Sequence, residues 1–173
     1  MSNAETRPLK ETNKNQYFQL MSVSRQVEFK STVFNTTEER SYFINPGSFG
    51  DDVASWFIAE LPRQGVTVDK EPGQEDFGWY MYFYANAKRY CLLISYQPGE
   101  NSLTGYWICT IERVSGTNLI SAFFGARTRG IDLAAPWTIH KVLSTSKEVS
   151  DIRWFLGKNS WSDLNSRPTP FEE

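Results

Sequence analysis

The run Trp79-Tyr80-Met81-Tyr82-Phe83-Tyr84-Ala85-Asn86-Ala87-Lys88-Arg89-Tyr90-Cys91-Leu92-Leu93-Ile94-Ser95-Tyr96-Gln97 decides the fold. Side chains alternate along an extended chain, so Trp79, Met81 and Phe83 share one face and Tyr80, Tyr82 and Tyr84 the other. Asn86-Ala87 suits a tight turn, and residues 88–97 read as the returning strand. A third run, Thr104 to Val114, follows the turn-rich Pro98-Gly99-Glu100-Asn101-Ser102. Short turns between neighbouring strands make an antiparallel meander. Both faces of the first strand carry rings. One is expected under helices, the other half-exposed or facing a ligand.

Upstream, Val53, Trp56, Phe57 and Leu61 recur at helical spacing, which predicts a helix over 49–62. Ser48 stands three residues before Asp51 in the manner of a capping box, and Asp51 and Asp52 fall where the helix dipole favours anions. Gly65 suits a left-handed cap. Earlier still, the β-branched and aromatic run Val27 to Phe34 and the run Glu39 to Ile44 predict a hairpin, ending at Asn45-Pro46-Gly47. Val66 to Lys70 reads as a short strand and Glu71 to Gly78 as a loop. Downstream, Asn118 to Phe124 suggests a strand, 134–146 a second helix with Pro136 in its first turn, and Val149 to Leu156 a last strand.

The expected fold is α+β: an antiparallel meander sheet with two main helices packed mostly on one face. Residues 1–15 are polar and aperiodic and read as a mobile arm, 16–157 as a single domain, and 158–173 as a polar tail. With 173 residues, 15% aromatics and 22% charged residues, the chain is neither a disordered polymer nor a coiled coil.

The net charge is -2, unevenly spread. Residues 45–78 hold Asp51, Asp52, Glu60, Asp69, Glu71, Glu75 and Asp76 against only Arg63 and Lys70. Such a chain lacks the broad positive field that nucleic-acid binding needs, and instead favours a cation or a basic partner. No run of 18 apolar residues predicts a membrane span, and residues 1–15 lack the apolar core of a signal peptide. A cytoplasmic location follows as the expectation. Two cysteines without CxxC spacing and a single histidine make no recognisable metal set, and no cofactor is expected.

Two acidic, glycine-bearing segments stand out: Asn45-Pro46-Gly47-Ser48-Phe49-Gly50-Asp51-Asp52 and Glu71-Pro72-Gly73-Gln74-Glu75-Asp76-Phe77-Gly78-Trp79. A 12-residue helix rises about 18 Å. A five-residue strand running back covers about 16 Å. The second segment would then return beside the helix start and gather Asp51, Asp52, Glu71, Glu75 and Asp76. Crowded carboxylates repel one another and invite a positive charge. The same acids also fit plain structural work: capping the helix, pairing with Arg63 or Lys70, or standing in solvent.

Other residues offer rival chemistry. His140 can serve as a general base, or simply as a half-buried helical residue. Arg127 and Arg129, flanked by glycines, can grip an anion or neutralise the acids. In a register whose paired numbers sum to about 200, Cys91 faces Cys109; a one-residue slip parts them to opposite faces. Two buried thiols suit a cytosolic protein better than a disulfide.

The segments Asn45-Pro46…Gly50-Asp51-Asp52…Trp56 and Glu71 to Trp79 resemble the signature of a group of uncharacterised bacterial proteins. The resemblance spans about 35 residues. It implies a bacterial source and a small independent domain, and carries over no activity. The expected function is therefore a non-catalytic binding module, a toxin-neutralising immunity protein or an adaptor. Its acidic rim of Asp51, Asp52, Glu71, Glu75 and Asp76, with Trp79 as aromatic anchor, would engage a basic protein. The alternative is a metal-dependent hydrolase or small-ligand binder that uses the same carboxylates with His140, Arg127 and Arg129.

Overall fold

A computed structural model describes residues 23–99, 105–114, 131–155 and 166–170. In it the alternation of residues 79–85 sorts as period two demands: Trp79, Met81 and Phe83 are buried, while Tyr80 and Tyr82 are half-buried and Tyr84 is exposed. The elements in chain order are β1 (Gln26–Lys30), α1 (Asp51–Glu60) with a 3-10 turn (Leu61–Gln64), β2 (Gly73–Glu75), β3 (Gly78–Ala85), β4 (Lys88–Gln97), β5 (Tyr106–Arg113), α2 (Ala134–Thr145), β6 (Ser150–Phe155) and β7 (Ser166–Arg167). The strands form one antiparallel sheet in the order β2-β3-β4-β5-β1-β6-β7. The fold is α+β, as expected.

The meander forms at β3, β4 and β5. Asn86 and Ala87 both take positive φ, 47° and 57°, the handedness that a two-residue hairpin needs to match strand twist. Met81, Leu92 and Ile111 make one rung of the core. Val27 and Phe29 of β1, Phe57 of α1, Ile139 and Leu143 of α2, and Trp154 of β6 join the same buried cluster. Fully burying each such side chain contributes about 1.5–3 kcal/mol. On the other face Glu28 pairs with Arg153 (3.2 Å) and Glu112 with Arg25 (3.3 Å). Burial pushes both carboxyls above their usual range, and each arginine pulls its partner back down.

Several expectations are corrected. The predicted hairpin of 27–34 with 39–44 does not form. Both edges of β1 are taken, by β5 and β6, so no ladder remains for residues 39–44. Residues 31–50 instead run without helix or strand as a strap held by its rings: Phe34 packs edge-on against Trp56 and Trp107, and Phe43 against Trp79. The predicted strand at 66–70 reduces to an isolated bridge, Val68 to Phe83. Part of the expected loop 71–78 is strand β2. Ser48 forms no capping box: α1 starts at Asp51 with Gly50 at its N-cap and no side-chain cap. Ser166–Arg167 pairs with β6, and Ser24 N–H donates to the Pro170 carbonyl, so part of the polar tail lies on the sheet. The predicted strand at 118–124, and Arg127 and Arg129, lie outside the described residues.

The register pairs Cys91 with Glu112 and Ile94 with Cys109, an odd offset from a facing pair. The two thiols therefore lie on opposite faces, free and buried. Burial pushes the Cys91 thiol up to about 12 and raises that of Cys109 as well. Among the described residues, no helix is long and apolar enough to cross a membrane.

Candidate functional site

Two glycines bring the acidic segments together. Gly50 (φ 135°) and Gly78 (φ 133°) both rest on Ile94 of β4. A Cβ on Gly50 would lie 3.1 Å from Ile94 Cγ2, and one on Gly78 would run into the Ile94 carbonyl oxygen. Only glycine combines that backbone angle with so close an approach.

Neutral groups then join the segments. Gln74 Oε1 accepts from the backbone N–H of Ile44 (2.6 Å) and Asn45 (3.4 Å). Its Nε2 donates to the carbonyls of Asn45 (3.2 Å) and Ser48 (3.4 Å). Trp79 Nε1 donates to the Ser48 carbonyl at 2.8 Å. Asn45 Nδ2 reaches Asp76 Oδ1 at 3.4 Å.

The two aspartates of α1 turn inward. Asp51 is only 4% exposed. Its Oδ2 accepts from the Tyr42 hydroxyl (2.5 Å) and pairs with Arg40 (3.0 Å). The hydrogen bond to Asp51 is the first cause of a raised Tyr42 phenol. Asp52 Oδ2 accepts from the Asn35 N–H at 2.6 Å, and Oδ1 from the Val53 N–H at 2.9 Å. Burial holds the Asp52 carboxyl above its usual range, although those backbone donors pull it down. Both aspartates thus fasten the strap to α1.

Glu71, Glu75 and Asp76 remain outward, exposed, and in no ion pair among the described residues. Trp79 is 5% exposed, with its indole bonded internally and its ring against Phe43 and Tyr42. Apolar surface appears elsewhere: Ile44 is 74% exposed, Tyr42 55% and Phe77 37%. Sequence reasoning passed over Ile44, Tyr42 and Gln74. The available signal was Gln74 itself, a long amide in a glycine-flanked turn, where two donors and an acceptor can satisfy a neighbouring loop.

His140 lies on α2 and receives a hydrogen bond from Trp154. Burial lowers its imidazole. Ser144 and Lys147 stand in Ser-x-x-Lys spacing, but the Ser144 hydroxyl donates back to the Lys141 carbonyl at 3.3 Å. A separate cavity of about 230 Å³ lies between α1 and the end of α2, lined by Trp56, Glu60, Val142 and residues 145–148. Among the described residues, no three His, Cys, Asp or Glu side chains converge on a metal position. No family model, curated protein or solved structure matches the chain.

Proposed function

We propose that the chain is a non-catalytic protein-binding module that engages a partner with a basic surface. The observation that carries this reading is Ile44. It stands 74% exposed, yet its backbone is pinned to Gln74 at 2.6 Å. A large apolar side chain held outward on a fastened loop is ready to bury against a partner without the loop having to be ordered first. Tyr42 and Phe77 add exposed rings, and Glu71, Glu75 and Asp76 add negative charge alongside. An apolar centre with a charged rim is the usual anatomy of an interface. The acids would steer a basic partner and suppress others, while Ile44 and the rings would supply the buried area. Asp51, Asp52 and Trp79 would act from within by holding the strap. The biological form we favour is a bacterial, cytoplasmic immunity protein or small adaptor that acts by occlusion.

The test is affinity capture with the full chain, compared with Ile44→Asp and with a Glu71→Lys, Glu75→Lys, Asp76→Lys triple variant. A defined partner should be retained at low salt by the parent, and at least tenfold less, about 1.4 kcal/mol, by either variant. Ile44→Asp should leave folding stability within about 0.5 kcal/mol, because the site is exposed. Capture that ignores both changes, or no protein capture beside a saturable small-molecule ligand, would overturn the reading.

A further inference from the structure

We propose that the hydrogen bond from Trp154 to His140 is an acid-sensitive latch between α2 and β6. Trp154 is fully buried on β6, and its Nε1 lies 3.3 Å from His140 Nδ1 on α2. An indole nitrogen can only donate. The imidazole nitrogen facing it must therefore be the bare one, which makes His140 the neutral Nε2–H tautomer. Protonation removes that acceptor. An imidazolium carries N–H on both nitrogens, so turning the ring over restores nothing. A buried indole donor then meets another donor, and α2 loses its polar tie to β6.

Among the described residues, the charges around α2 and β6 are already paired with one another or lie off the His140 ring. On the strand side Arg153 pairs with Glu28, and Asp151 with Lys30. On the 3-10 turn packed against α2, Arg63 pairs with Glu60. At the start of α2, Asp132 is held by Lys88 and Asn86. Strand β3, which also packs on α2, carries no charged residue over Gly78–Ala85. On α2 itself the nearest charge is Lys141, whose ammonium stands 6.0 Å from the Trp137 ring centre; Lys147 and Glu148 follow the helix end. Trp137 stacks on His140 at 5.4 Å, an arrangement that favours an imidazolium. Burial opposes it and lowers the imidazole from 6.5.

The chain holds a single histidine, so its ring proton signal needs no assignment. An NMR titration of the full chain from pH 8 to 4.5 should show that signal moving with a midpoint below 6.5. The Trp154 indole N–H, identified by its contact with the His140 ring, should shift with the same midpoint and exchange faster with solvent on the acid side. His140→Gln, which keeps a neutral acceptor, should abolish the shift. A midpoint at or above 6.5, a Trp154 signal indifferent to the histidine titration, or an unchanged transition in His140→Gln would overturn the latch.

Discussion

At Gly78 backbone angle and space coincide. Its φ of 133° and the Ile94 carbonyl beneath it leave no room for a side chain. Gly78→Ala should therefore destabilise the fold toward the upper end of the about 1–3 kcal/mol typical of a strained backbone position. Gly47 also has positive φ, 79°, but a Cβ there meets nothing within 4 Å. Gly47→Ala should cost only about 1 kcal/mol, the penalty of a left-handed residue alone. Equilibrium denaturation of both variants compares the two, and equal losses would remove Ile94 as the point on which the acidic segments converge. None of this is legible from composition, where both glycines read alike as turn residues.

The strap 31–50 is open to change, because side chains rather than a ladder hold it. Gln74→Ala removes the four hydrogen bonds between strap and β2 and should cost about 1–2 kcal/mol. Hydrogen exchange should report the loss locally. The Ile44 and Asn45 amides should exchange faster, while β4 and β5 amides change only by the global amount. Uniform acceleration would mean that the strap belongs to the cooperative core. Here the limit of sequence reading is physical. The meander was legible because period-two alternation and two-residue turns are local signals, α1 because apolar residues recur at helical spacing, and α2 because Pro136 suits a first turn. The pairing of β1 with β5 and β6 was not, since it joins residues about 80 and 125 positions apart, which no local pattern encodes. The strap has no period at all. The meeting of the two acidic segments was anticipated, but on the assumption of a returning strand. Two glycines and one glutamine make it instead, and the Asp51 and Asp52 carboxylates serve the interior.

For the whole molecule, the shifted groups set opposing trends with pH. His140 is lowered in the folded state, so between its folded value and 6.5 the unfolded chain binds more protons. Stability then falls as pH falls through that window. Glu28, Glu112 and Asp52 are raised by burial, so the folded chain binds more protons between their ordinary and folded values, and this contribution grows as pH falls. Urea denaturation of the parent and His140→Gln at several pH values between 7.5 and 5 separates the two. The stability advantage of the parent should shrink on acidification through the histidine window. An advantage that stays constant would show that His140 titrates alike in both states.

The opposed placement of the two thiols makes the molecule its own gauge. Cys109 lies in the cluster shared by both helices and the sheet, and Cys91 on the reverse side. An alkylating reagent reaches the first when that buried cluster opens, and the second when the reverse side of the sheet opens. One labelling time course, resolved by peptide, thus records which side of the sheet opens first.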